Sequence, residues 1–333
     1  MKLLTVIFFT LVILFIPIRA YAGQLAGRTI ILDPGHGEGN SPRYGAYVEH
    51  IAMLGLAREI RPLLEAHGAT VVLVRDGFPN VHIAARAAII NKVSLEALLN
   101  ERIEIFNEHQ FPETYAEIRE INRLIAIMQR IIRAPGVYAP IYFNYPFDRE
   151  FQTTVHPDLH RIFMWQTHRT VSHNFLMISL HSNANRNPNV NGAIVYHTTN
   201  CHHNGRTYFA GYTTYIKTGI FANYLLGNIS RIGMARARNT AWPGNFLVLR
   251  ENNLPSVLVE NGYHTNPNDR AMLMCSIFMT NLAHAYVNAI IDYFNTIDPR
   301  IEIYIIVDTA RSRLEGIINR LQFSHPGILR KEE

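Results

Sequence analysis

The sequence predicts an α/β protein: a twisted, mostly parallel sheet flanked by helices and interrupted by a helical insertion. Three observations carry this expectation. Short apolar runs such as 29–32, 70–74 and 175–180 alternate with longer stretches whose apolar positions repeat at helical spacing. The runs are continuously apolar, as strands covered on both faces are. The alternation lapses between about 92 and 174, where only helical patterns are legible, and then resumes.

Residues 1–22 stand apart. Lys2 gives a positive start, 3–18 are almost wholly apolar, and Ala20-Tyr-Ala22 is a small-x-small site before Gly23. This reads as a secretory signal peptide, with an apolar run short for a membrane span. The mature protein is therefore expected to be exported, periplasmic or extracellular, with no span after cleavage. A net charge of +5 over 333 residues, without any Lys/Arg block, argues against a nucleic-acid partner. The two cysteines, Cys201 and Cys275, are too few for a disulfide framework. Cys201-His202-His203 lacks the second cluster that a structural metal site needs.

The elements follow in order. The first strand, 29–32, must stop at Pro34, which has no N–H for a ladder, and it leaves His36 between Gly35 and Gly37. A polar loop leads to a helix over 48–66, with Glu49 in its first turn, Pro62 expected to kink or split it and Gly68 as its stop. A strand at 70–74 and a helix at 81–91 complete the first half. The insertion follows, with charged amphipathic helices at 94–110 and 112–133, an aromatic, proline-bearing loop at 134–148 and a helical stretch at 156–173. The sheet resumes at 175–180, ending in His181. A strand at 192–196, a helix at 213–230 and strands at 246–249 and 256–259 come next, the last ending at Glu260. A long helix over 269–294 closes the expected domain, 23–300, and a strand and helix extend it over 301–333.

Three strands thus end in an ionisable group, His36, His181 and Glu260, and Glu49 opens the helix just past the first of them. Each has an ordinary local explanation: a histidine bonded within its loop, or a carboxylate at the positive end of a helix. Together, two imidazoles and a carboxylate are a ligand set for catalytic zinc, with a further carboxylate free to act as base and acid. Spacing alone leaves both readings open.

Ile31-Leu-Asp-Pro-Gly-His-Gly37, Ser179-Leu-His-Ser-Asn-Ala184 and Leu258-Val-Glu-Asn-Gly-Tyr-His-Thr-Asn266 resemble the signature blocks of the zinc-dependent N-acetylmuramoyl-L-alanine amidases, the cell-wall amidases of type 3. The resemblance covers about 28–91 and 175–294. It implies a phosphorylase/hydrolase-like fold, Zn²⁺ held by His36, Glu49 and His181, and Glu260 as the catalytic glutamate. Peptidoglycan would be the substrate, cut between N-acetylmuramic acid and L-alanine. Two rival functions are another zinc hydrolase or deacetylase acting on the wall, and a non-catalytic wall-binding homologue.

The chain departs from the family pattern in the insertion and at His264, where the family mostly has an apolar residue. No appended wall-binding repeat is recognisable. The insertion could wall the substrate groove, cap it until a protein activator withdraws it, or decorate the surface.

Overall fold

The structure, a computed structural model, describes residues 23–138, 141, 156–197 and 215–297. The expected signal peptide, the C-terminal extension and Cys201 lie outside these residues, and Cys275 is exposed. The chain order is β1 (Thr29–Pro34), β2 (Arg43–Tyr44), β3 (Tyr47–Val48), α1 (Glu49–Ala66), β4 (Thr70–Leu73), α2 (Ile83–His109) and α3 (Pro112–Arg133). It continues through α4 (Pro135–Tyr138), α5 (Pro157–Gln166), α6 (Arg169–Ser172), β5 (Phe175–Asn183), β6 (Ile194–His197) and α7 (Tyr215–Arg231). The last elements are β7 (Trp242–Pro243), α8 (Leu247–Arg250), β8 (Ser256–Tyr263), α9 (Pro267–Met274) and α10 (Ser276–Ile297).

The described sheet runs β4-β1-β5-β8-β6-β7, with β6 antiparallel to β8 and the other pairings parallel. Its strands are apolar on both sides because both faces are covered. Ile30, Leu32, Leu176, Ile178, Val257 and Val259 point into one core, with α1, α7 and α10. Ile31, Phe175, Met177 and Leu258 point into the other, with α2, α3, α5 and α8. The period of two along each strand thus survives beneath the uniform hydrophobicity.

Several expected elements differ. The helices expected at 81–91 and 94–110 are one continuous α2, because Ser94 at the join donates its hydroxyl to the Asn91 carbonyl instead of breaking the helix. Pro62 neither splits nor ends α1. The stretch 156–173 divides into α5 and α6, where His168 accepts the Thr170 N–H and starts a new helix. The segment expected as a strand at 246–249 instead turns into α8, burying Val248 and Leu249 in the second core while β7 takes the sheet edge. The terminal helix bends by 84° at Cys275 into α9 and α10. No single described helix is long and apolar enough to cross a membrane.

Helices α3 and α5 of the insertion belong to the second core: Leu124, Met128, Leu159, Ile162 and Phe163 are fully buried there. Phe163→Ala should therefore lower the unfolding free energy by about 3–5 kcal/mol in urea titrations. A loss below about 1 kcal/mol would show that this layer is peripheral.

Candidate functional site

The site grows from the end of β1. Pro34 and Gly35 carry the chain across the top of β5, where a Cβ on Gly35 would lie 2.3 Å from the His181 ring. Only glycine lets the backbone pass so close. His36 follows with φ of +56°, in the left-handed region that L-residues avoid. The conformation is held from behind. Buried Arg86 donates to the carbonyls of Pro34 (2.7 Å) and His36, and Arg75 to those of Gly35 (3.1 Å) and His50 (3.0 Å). Asp33 balances the charge, accepting from Arg86 Nη1 at 2.5 Å and from the Ser179 hydroxyl at 2.9 Å. Burial and the neighbouring Arg86 push Arg75 down to about 10, which leaves it cationic at neutral pH.

His36 meets its partners above this platform. The ligand atoms of His36, Glu49 and His181 lie within 4.8 Å of one another, a group that could hold a metal ion. Glu49 is buried at the start of α1, with Oε1 3.3 Å from His36 Nε2 and 3.1 Å from His181 Nδ1. The same oxygen accepts the Ser182 N–H at 3.0 Å. Burial raises the Glu49 carboxyl, but its contacts with His181 and His36 outweigh that and hold it at about 2. The same carboxylate raises His181 against the effect of its burial.

The tautomer of His36 follows from its other side. Nδ1 lies 2.9 Å from the Asn40 carbonyl, which can only accept, so Nδ1 carries the proton. In the neutral ring, Nε2 is then a lone pair facing a carboxylate. Glu49 Oε2 is buried without a hydrogen-bond partner. Converging lone pairs with an unused carboxylate oxygen fit a cation, and a backbone acceptor on the far nitrogen is the usual support of a metal-binding histidine.

Glu260 stands in β8 directly in register with His181 in β5; both lie within their strands rather than beyond the ends. Its Oε2 is buried without a partner, and burial pushes its carboxyl up to about 7. His36, His181 and Glu260 line a cavity of about 630 Å³, and Asn245–Val248 line it as well. Among the described residues, none between 92 and 174 lines it.

The structure thus brings His36, Glu49, His181 and Glu260 together. His264 lies beneath them, buried, 3.0 Å from the Ser182 hydroxyl and stacked on Tyr47. Tyr47 donates to that same hydroxyl at 2.8 Å. Sequence reasoning assigned no role to Arg75, Arg86, Asp33 or Ser182. The available signal was three charged residues, Asp33, Arg75 and Arg86, at strand ends or in an apolar helical run, where burial demands mutual compensation.

The family model of the N-acetylmuramoyl-L-alanine amidases matches residues 30–100 and 160–292. The chain belongs to this family. The unmatched stretch between those segments falls inside the expected insertion. The amidase AmiA of Salmonella typhimurium is 36% identical over 76 residues, covering 23% of this chain and 26% of that relative. CwlM, an amidase of Bacillus licheniformis, is 40% identical over 60 residues, covering 18% and 22%. The matched segments thus span about a quarter of these relatives' length. The structure of an N-acetylmuramoyl-L-alanine amidase from Clostridium difficile 630 superposes with a TM-score of 0.50, covering 82% of this chain and 99% of that one. At 16% identity, that likeness is one of fold.

The raised Glu260 carboxyl has a measurable consequence. A carboxyl at about 7 when folded and 4.5 when unfolded favours the protonated folded state below 4.5, an advantage lost as pH rises through 7. Glu260→Gln, which keeps the shape and removes the charge, should raise the metal-free melting temperature by a few degrees at pH 8 and leave it nearly unchanged at pH 4.5. An equal shift at both pH values would contradict this.

Proposed function

We propose that the chain is an exported, zinc-dependent hydrolase of the amide joining N-acetylmuramic acid to L-alanine in peptidoglycan. The observation that carries the reading is the convergence of the His36, Glu49 and His181 ligand atoms beside Glu260, whose buried Oε2 has no partner, in a member of the amidase family. The imidazoles of His36 and His181 and the carboxylate of Glu49 would hold the ion, a set suited to a borderline Lewis acid. When bound, zinc supplies a Lewis acid that polarises the scissile carbonyl and acidifies a water. Asn40 and Arg86 fix the His36 ring and backbone, so the site needs little rearrangement.

Glu260 is the proton carrier. It takes a proton from the attacking water and returns it to the departing alanine amine. A carboxyl near 7 in the metal-free protein suits both directions of transfer at neutral pH. The 1–22 segment, with its Ala20-Tyr-Ala22 site, supports export to the wall, in the periplasm or outside the cell. A protein activator acting on the helical insertion belongs to the same proposal; its support is the exposed pair Phe111 and Tyr115 at the turn from α2 to α3.

Digestion of sacculi by the mature protein should release stem peptides with a free L-alanine amine, identified by mass spectrometry. Glu260→Gln should lower kcat by about 10²–10⁴-fold with zinc retained. His181→Ala should lose both zinc and activity, and chelation should abolish turnover reversibly. Cleavage between amino acids, release of acetate, or full activity after exhaustive chelation would overturn the proposal.

A further inference from the structure

One stretch of the cavity lining is held from outside the His36, Glu49 and His181 cluster. Asn245–Val248 line the cavity, and the chain then passes through α8 into the buried run 251–253. That run is tied to the second helical layer by a set of side-chain amides. Asn91 of α2 donates its amide to the Glu251 carbonyl at 2.8 Å. Asn253 donates from its backbone to Gln166 Oε1 at 2.7 Å and from its side chain to the Phe163 carbonyl at 3.0 Å.

Gln166 is the centre of this set. It is the last residue of α5 and is wholly buried. Its oxygen accepts from Asn253, while its NH₂ donates to Asn91 Oδ1 at 2.8 Å and to the Ser94 hydroxyl at 2.9 Å. Both donors and the acceptor of one carboxamide are therefore used, each on a different residue. A buried, fully satisfied amide fixes geometry, because any shift of one partner leaves another unsatisfied. Apolar packing alone would resist sliding less, since it has no direction.

We propose that Gln166 is a positioning residue for the substrate cavity: it clamps α2 and the 251–253 run together and so fixes the Asn245–Val248 part of the cavity lining. The residue touches neither the metal cluster nor the cavity, and it acts through Asn253 and α8. The segment that returns the chain from the insertion to β5 thereby sets the width of the catalytic cavity. The choice of substrate in the kinetic test rests on the amidase reading; the clamp itself does not.

The test uses Gln166→Met, which keeps volume and flexibility but removes the three hydrogen bonds, with Ser94→Ala as a milder second variant that removes one acceptor. In Gln166→Met, KM for a soluble muropeptide should rise about tenfold, kcat should stay within about twofold, and zinc stoichiometry should not change. Ser94→Ala should shift KM in the same direction by a smaller factor. Backbone amides of 249–251, measured by hydrogen exchange, should exchange about tenfold faster in Gln166→Met than in the unaltered protein. A merely structural role would lower the melting temperature while leaving KM unchanged in the folded variant, and that result overturns the proposal. If Gln166→Met does not fold, unchanged KM and exchange in Ser94→Ala overturn it instead. If the unaltered protein fails to cleave muropeptide, the amidase reading falls while unchanged or faster exchange at 249–251 still decides the clamp.

Discussion

A carboxylate buried between two imidazoles is the constraint on which the rest of this structure depends. Glu49 is 1% exposed, and a charge so deep is tolerated only when opposite charge and hydrogen-bond donors surround it. One of its oxygens receives the Ser182 N–H and faces both histidines; the other has no partner. Everything above the sheet serves that arrangement. Gly35 lets the loop pass His181, the left-handed His36 aims its ring at Glu49, and Arg75 and Arg86 hold the loop's carbonyls from below. The strain of His36 is compensated locally, in the manner of functional sites that store unfavourable geometry in rigid surroundings.

A second charge balance lies beside the first. Glu260 has no cationic neighbour as close as Glu49 has, so burial dominates and its carboxyl rises to about 7, while that of Glu49 falls to about 2. Two carboxylates in one site with environments that push them apart suggest different tasks, one to hold a cation and one to exchange protons. The sheet register makes this possible by setting His181 and Glu260 side by side on adjacent strands.

Most of the strands are legible in the sequence because their signal is local. An apolar run such as 29–32, stopped by Pro34, or 175–180, followed by the polar His181-Ser-Asn-Ala-Asn185, announces itself without tertiary knowledge. The continuity of α2 through Ser94 was not legible, since it depends on a hydroxyl bonding back into its own helix and onto Gln166. Nor was the α8 turn, because its apolar residues are buried by packing on α2 rather than by a sheet ladder. His264 shows the same limit. Its neighbours Tyr47 and Ser182 are distant in sequence, and only the fold shows His264 buried against them. Long-range compensation, here Asp33 with Arg86 and Asn91 with Glu251, is invisible to periodicity.

We propose that the His36, Glu49 and His181 cluster binds one divalent cation. Calorimetric titration of chelator-treated protein with Zn²⁺ at pH 7 tests it most directly. One equivalent should bind tightly in the unaltered protein and in Glu260→Gln, while Glu49→Gln should weaken binding by at least about 100-fold. Equal affinity in Glu49→Gln, or absence of binding in the folded unaltered protein, would contradict the account.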